Sequence, residues 1–374
     1  MEAKPKYIEI HEWIKKQIIS GELKPGERMY SENELMEMFS VSRQTVRHAI
    51  SRLEFEEFVV RKRGSGTYIR EKKEQEKRVN SMQIAVVTTY IDEYIFPGII
   101  REIERTVSKE GYGIQFASTH NSIESEREVL RRLLRENTVD GIVVEATKSA
   151  LPNPNLPLYR QILERNIPLV FINSYYPEIQ APHVSMNDRM AGKMAAQYLI
   201  RKGHRKIGAI FKCDDGQGYL RYAGFVEAMM EARIPIREGQ VIWISTEDGR
   251  RMRQEEDRYL GRLEDNTAYV CYNDKVAMEF IEILEKHQIR VPDNISVVGI
   301  DNAEISLHHG TALTTVQNPL QSLGELTATV MLKMIHGIPV EKDYELMPTM
   351  VERMSVKNRH RSPLSMVEKE KILC

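Results

Sequence analysis

The chain has 374 residues, 41% of them hydrophobic and 29% charged, with a formal net charge of −1. That length carries two or three domains, each able to bury a core, and the composition excludes a disordered or membrane-embedded chain, since no run approaches the roughly 20 apolar residues of a spanning helix. A near-zero total hides local clusters, so a nucleic-acid footprint has to be sought patch by patch.

The first stretch, MEAKPKYIEIHEWIKK, is charged throughout and has no secretory apolar core. Cys213, Cys271 and Cys374 lie far apart, without disulfide-framework or zinc spacing, which fits a reducing cytoplasm. From Lys6 to Ser20, Ile8, Trp13, Ile14, Ile18 and Ile19 recur at helical spacing, and Gly21 ends the helix. After the turn LKPGER, Ser31 caps a second helix through Phe39, and Glu34 completes a capping box. Ser42 caps a third, on which Val46, Ala49, Ile50 and Leu53 form one apolar face. Phe58-Val59-Val60 and Thr67-Tyr68-Ile69 read as strands joined by RKRGSG. Three helices and a hairpin make a winged helix-turn-helix.

On the third helix Arg43, Gln44, Arg47 and His48 flank or oppose the apolar stripe near the N-terminus, where a recognition helix presents side chains to base edges. Arg can grip guanine bidentately and Gln adenine, and Thr45 suits a phosphate or a thymine methyl. Arg61, Lys62 and Arg63 lead into the hairpin, whose Gly64 and Gly66 permit close approach to a groove or a phosphate. A solvated charged helix and hairpin is the plainer account of these residues; the complete order of elements favours DNA.

The stretch YSENELMEMFSVSRQTVRHAISRLEFEEFVVRKRGSGTYI, with P-G-E-R, S-E-N-E-L, V-S-R-x-T-V-R and G-x-G-T in order, resembles the DNA-binding domain of GntR-family transcription regulators. The resemblance implies that Arg43, Gln44, Thr45 and Arg47 meet DNA, with Glu32, Lys62 and Gly66 at the interface and Lys4 and Lys6 near phosphate. The wing is more charged than in many relatives, which implies a steeper salt dependence.

REKKEQEKRVN, residues 70–80, has no apolar periodicity and reads as a solvated linker. Beyond it, strand-length apolar runs alternate with amphipathic segments, from QIAVVTTY and PGIIREIERTVSKEG to PLVFIN. The alternation restarts at RMAGKMAAQYLIRKG and continues to ISVVGID. Such βαβ alternation predicts parallel sheets covered on both faces, in two doubly wound lobes. The expected domains are 1–70 (head), 71–80 (linker), 81–361 (body) and 362–374 (tail).

Functional side chains in open α/β lobes lie beyond strand C-termini. Those positions hold Tyr90, Asp92, Tyr94, Phe96, Glu145, Lys148, Asn173, Ser174, Asp214, Asp215, Gln217, Arg221, Asn273, Asp274, Asp301 and Gln317. Carboxylates, amides, one Arg and aromatic rings suit a neutral polyol, planar groups taking paired hydroxyls and rings covering the apolar sugar face. Each residue alone could equally cap a helix or bond a loop; their convergence carries the expectation. Asp188 is expected to be such a cap. The loop around LPNPN is not assigned.

GHR-x-IG-x-I, R-x-x-GF, YND-x-x-A, P-D-x-ISVVG-x-D and LTTV-x-x-P occur in the order found in the LacI/GalR family, over residues 83–361, so the body resembles that family's periplasmic-binding-protein-like effector domain. The fold class implied is an α+β winged helix-turn-helix followed by an α/β two-lobed domain with doubly wound parallel sheets. TTYIDEYIFPGIIR, GIVVEATKSA, FKCDDGQG and CYND bring the chain nearest to regulators of arabinose use that join these two parts. That likeness implies L-arabinose as effector, with Glu145, Lys148, Arg221, Asp274 and Asp301 as leading polar contacts, and Tyr94, Phe96 and Asn273 completing the pocket. A homodimeric repressor of operator DNA is expected on these parts, with the helix IIREIERTVSKEG and its neighbours as the dimer surface.

An enzyme is not expected. There is no Walker A motif, GYGIQF opens toward a strand rather than a helix, and His308-His309 is adjacent rather than i,i+4. No serine elbow or metal cluster is present in the pattern, and no cofactor or membrane partner is expected.

Overall fold

In the head, Ile10 and Ile14 turn inward one helical turn apart and fix the buried side of α1 (Lys6–Ile19). Ser31 caps α2 (Glu32–Phe39): its Oγ accepts from the Glu34 N–H while Glu34 accepts from the Ser31 N–H, closing the capping box. The Ser42 Oγ likewise accepts from the Thr45 N–H at the start of α3 (Arg43–Phe55). Val46, Ala49, Ile50 and Leu53 are buried, as the stripe requires. Strands β1 (Val59–Lys62) and β2 (Gly66–Ile69) pair antiparallel, with Val59 opposite Ile69 and Lys62 opposite Gly66. The result is the expected winged helix-turn-helix.

This computed structural model describes residues 5–19, 21–55, 58–62, 65–69, 80–91, 94–307 and 310–360. Lys4, Arg63, Gly64, Asp92, His308 and His309 fall outside these residues, as do the expected linker apart from Asn80 and the expected tail. The chain divides into two units, Met1–Val79 and Asn80–Cys374.

In chain order the second unit runs β3 (Gln83–Thr88), α4 (Phe96–Val107), β4 (Gly113–Ser118), α5 (Ile123–Glu136), β5 (Gly141–Val144), α6 (Leu156–Glu164), β6 (Leu169–Ile172) and β7 (His183–Met186). It continues through α7 (Asp188–Arg201), β8 (Ile207–Lys212), α8 (Gly216–Glu231), β9 (Val241–Ile244), α9 (Thr246–Arg251), α10 (Glu256–Leu260), β10 (Ala268–Cys271) and α11 (Asp274–Lys286). It closes with β11 (Ser296–Asp301), β12 (Thr314–Gln317), α12 (Leu320–Ile335), β13 (Asp343–Leu346) and β14 (Thr349–Val351).

The strands form two six-stranded sheets, ordered β13-β7-β6-β5-β3-β4 and β14-β12-β11-β10-β8-β9. Every pair is parallel except β12 with β14. Central strands such as Leu169–Ile172 and Ala268–Cys271 are buried at every position, which is why they read as unbroken apolar runs.

The chain passes between the lobes three times: at Asn187, around Asn318 and after Leu346. The second crossing returns α12 to pack on α4 and β13 to pair with β7 in the first lobe, and the third takes β14 back to pair with β12 in the second. Between α7 and α8 the backbones nearly touch: a Cβ on Gly192 would lie 1.9 Å from the Arg221 carbonyl oxygen, and one on Gly224 would lie 1.8 Å from that of Arg189. Only glycine allows that approach, and it brings Arg221 up to the start of α7.

Candidate functional site

On the head, Arg43, Gln44, Arg47 and His48 are exposed along one side of α3, with Thr45 half-buried. Glu32 on α2 braces this row. The Arg47 Nε donates to both Glu32 oxygens at 3.0 Å, and Arg43 lies 3.9 Å from the same carboxylate while donating to Asn33 Oδ1 at 2.8 Å. Exposed pairs of this kind contribute about 0–1 kcal/mol, so exchange for a base or phosphate costs little. Lys62 stands over the Tyr68 ring, 4.7 Å from its centroid. Gly66 holds φ at +119°, and the Arg28 Nε lies 2.9 Å from where a Cβ would be. The row and the wing are therefore presented by a buried core and need no folding to be exposed.

In the body, a cavity of about 460 Å³ lies between the lobes, within the range of roughly 300–1,000 Å³ usual for small-molecule sites. Its walls are strand ends. Thr89 and Tyr90 follow β3, Asn121 follows β4, Glu145 follows β5 and Asn173 follows β6; Lys212 ends β8, Tyr272 follows β10 and Asp301 ends β11. Several cavity-lining residues are left-handed without being glycine: Tyr94, His120, Asn121, Asn173 and Asp301 all have positive φ, as does Lys148 beside the cavity. Such backbone costs on the order of 1–3 kcal/mol per residue and persists where the surroundings impose it, typically at binding sites.

On the first-lobe side, Glu145 accepts from the Thr89 N–H (2.9 Å) and hydroxyl (2.5 Å) and from Asn173 Nδ2 (3.0 Å). Burial raises its pKa to about 7, with the Thr89 and Asn173 bonds pulling the other way. Asn173 is 5% exposed, lines the cavity, and its Oδ1 has no hydrogen-bond partner. A buried amide oxygen without a partner, on a residue that lines a cavity, calls for a donor that the protein itself does not supply.

On the second-lobe side the centre is Arg221, 1% exposed. Its Nε donates to Asp188 Oδ1 (2.7 Å), Nη1 to the Tyr272 carbonyl (2.5 Å) and Nη2 to Asp301 Oδ1 (3.2 Å). Burial works against its charge, but Asp301 and Asp188 outweigh it and hold the guanidinium's pKa above its ordinary value. Lys212 donates to Asp215 Oδ2 (2.5 Å), which also accepts from the Tyr272 hydroxyl (3.2 Å). Positive and negative groups are thus matched inside the cleft, with Tyr90, Tyr94, Phe96 and Tyr272 as apolar surface. That chemistry suits a neutral, hydroxyl-rich molecule.

Of the residues read from the sequence, the expected contacts Tyr94, Phe96, Glu145, Arg221, Asn273 and Asp301 line the cavity, as do the strand-end residues Tyr90, Asn173, Ser174, Asp215 and Gln217. Lys148 does not: its Nζ donates to Glu247 Oε1 on the facing lobe at 2.9 Å. Asp274 lies beneath the floor, its oxygens accepting from the Ala303 N–H (2.8 Å) and the Thr315 hydroxyl (2.5 Å). Asn273 caps α11 through the Val276 N–H (3.0 Å) while also lining the cavity. Asp188 is not the cap of α7. Asn187 is, accepting from the Met190 N–H at 2.8 Å, and Asp188, one residue inside the helix, turns to Arg221. Both residue types cap well, so composition alone could not choose between neighbours.

Asn121, Lys212, Thr246, Arg250 and Tyr272 were missed. Asn121 and Tyr272 follow strands β4 and β10 and obey the strand-end rule; Thr246 and Arg250 follow β9, whose signal is the short VIWI run. The unassigned LPNPN loop has a structural task. Its Asn153 and Asn155 both donate to Glu126 Oε2 at 2.8 Å, and Tyr159 donates to Glu126 Oε1 at 2.7 Å.

This constellation, a basic winged helix-turn-helix and a two-lobed body closed on a polar cavity, defines a ligand-responsive DNA-binding regulator. Residues 6–69 match the model of bacterial regulatory proteins, gntR family, and residues 196–356 match the periplasmic binding protein-like domain. The chain is 37% identical over 358 residues to an arabinose metabolism transcriptional repressor of Geobacillus stearothermophilus, covering 94% of this chain and 98% of that one. It is 37% identical over 335 residues to the protein of the same name in Halalkalibacterium halodurans, covering 88% and 89%. Among solved structures, the transcription regulator CcpA of Lactococcus lactis superposes with a TM-score of 0.66 at 25% identity, over 74% of this chain and 99% of that one. A CelR–cellobiose complex gives 0.67 at 23%, over 84% and 91%. The chain belongs to the family of these transcriptional repressors, with a gntR-family DNA-binding head and a periplasmic-binding-protein-like body. Among the described residues no helix is long and apolar enough to cross a membrane, and no group of His, Cys, Asp and Glu is placed to hold a metal.

Proposed function

We propose that the chain is a dimeric, sugar-responsive repressor that holds operator DNA when its cavity is empty and releases it when L-arabinose binds. Arg43, Gln44, Thr45 and Arg47 read the major groove, Lys62 and Gly66 approach the backbone, and Glu32 orients the arginines. Glu145, Asn173, Arg221 and Asp301 receive the sugar's hydroxyls, and Phe96 with Tyr90 covers its apolar face. Only a ligand that prefers one arrangement of the lobes can shift the equilibrium, and a ligand contacting both walls at once meets that condition.

The observation that carries the reading is the cavity's balanced polarity, with charges paired inside the protein and the Asn173 oxygen unpartnered. The names of the two arabinose repressors support arabinose over other sugars. Structures of this fold exist with cellobiose and with D-xylulofuranose, so the test is calorimetry against a panel of pentoses, hexoses and disaccharides. L-arabinose should bind most tightly. A preference for glucose or ribose would replace the effector and leave the architecture standing.

A further inference from the structure

We propose that α9 is a strap across the mouth of the cavity, and that Lys148 and Glu247 are positioning residues that set effector affinity without touching the effector. The inference rests on reading the cavity as an effector site.

Three side-chain contacts tie α9 and its approach to the first lobe. Asn121 Nδ2 donates to Thr246 Oγ1 at 2.7 Å, Lys148 Nζ donates to Glu247 Oε1 at 2.9 Å, and Arg250 Nη2 donates to the Tyr90 hydroxyl at 3.1 Å. The Lys148 backbone is tied in as well, because its N–H donates to Asn121 Oδ1 at 2.9 Å. Asn121 therefore joins the Lys148 backbone to α9, and both Asn121 and Lys148 are held in the left-handed region. A capping box at Ser245 and Asp248 fixes the start of α9. Beside it, two backbone amides cross between the lobes: Gly216 N–H to Ser149 Oγ (2.9 Å) and Ala150 N–H to the Asp214 carbonyl (3.3 Å).

Thr246, Gly249 and Arg250 also line the cavity, so the same short helix encloses a ligand and is fastened to the opposite lobe. Closing the strap and enclosing the ligand are one movement. Lys148 and Glu247 do not line the cavity, which makes them the clean probes. An exposed ion pair of this kind changes an equilibrium by roughly two- to fivefold.

The experiment uses the full chain with Lys148→Glu, Glu247→Lys and the double exchange. Calorimetry with L-arabinose should show each single variant binding roughly two- to fivefold more weakly and the double variant returning near the parent value. Hydrogen exchange on the ligand-free chain should show faster exchange at the Ala150 and Gly216 amides in each single variant, restored in the double. Single variants that bind and exchange like the parent would overturn the strap, and so would a double variant that rescues neither quantity. Should the parent bind no L-arabinose, the effector reading fails by itself, and amide exchange still decides whether the strap exists.

Discussion

Tyr94 Oη donates to Asp301 Oδ2 at 2.7 Å although the two residues stand on opposite lobes. The hydroxyl also accepts from the Asp274 N–H at 3.1 Å, so the ring bolts the first lobe to the floor of the second. Burial raises the phenol's pKa well above its ordinary value, with Asp301 and Asp274 adding to the shift, and the group stays a donor. Through Asp301 the bolt continues to Arg221 and Asp188. Tyr94→Phe removes one hydrogen bond to a charged acceptor while keeping the ring. We expect effector affinity, measured by calorimetry, to fall by up to about 1.5–3 kcal/mol, at most roughly a hundredfold.

Arg221 is a stability matter as much as a binding one. Removing it strands Asp188 and Asp301, both buried, without their counter-charge. Breaking a buried pair in this way costs roughly 3–5 kcal/mol. Arg221→Ala should therefore lower the body's melting transition in scanning calorimetry by roughly 10 °C. Arg221→Lys should not recover the parent value, because an ammonium cannot serve Asp188, Tyr272 and Asp301 with one planar fork.

Glu145 makes the body's stability depend on pH near neutrality. Its pKa in the fold is about 7 against 4.5 for the free side chain, because burial penalises the carboxylate. The folded chain then holds more protons than the unfolded one between those values, so this residue's contribution is fully present below about pH 4.5 and is lost as pH rises through about 7. The whole effect is at most on the order of 3 kcal/mol. Melting temperatures of the ligand-free chain and of Glu145→Gln, compared from pH 5 to 8, should show the parent losing ground to the variant as pH rises. Parallel curves would contradict the assignment.

Head contacts separate by salt. Lys62→Ala should weaken binding to every DNA sequence and lower the salt slope of log K by about 0.9. Arg47→Ala should cost about 1–3 kcal/mol on the operator and relax preference at one base pair. Fluorescence anisotropy across a salt series distinguishes the two behaviours.

Much of this organisation could be read in the chain. The Ser31–Glu34 box and the stripe Val46, Ala49, Ile50, Leu53 encode the head locally, and strand ends such as Glu145 and Asp301 mark the cleft because parallel sheets place function there. What could not be read depends on contacts distant in sequence. Nothing local shows that α12 returns to α4, or that Gly192 and Gly224 let two helices touch. The direction taken by a side chain is also hidden: Asp188 was expected to cap α7 but pairs with Arg221. Lys148 was expected on the ligand but meets Glu247, 99 residues away. Long-range packing and left-handed backbone, not residue type, decide those cases.

The most direct measurement is the affinity of the full chain for a fluorescently labelled near-palindromic operator duplex from an arabinose-utilisation promoter, with and without saturating L-arabinose. The coupling expected between two linked sites is about 1–3 kcal/mol, so the sugar should weaken operator binding by roughly fivefold or more. Equal affinity in both conditions, with calorimetry showing the sugar bound, would contradict the account.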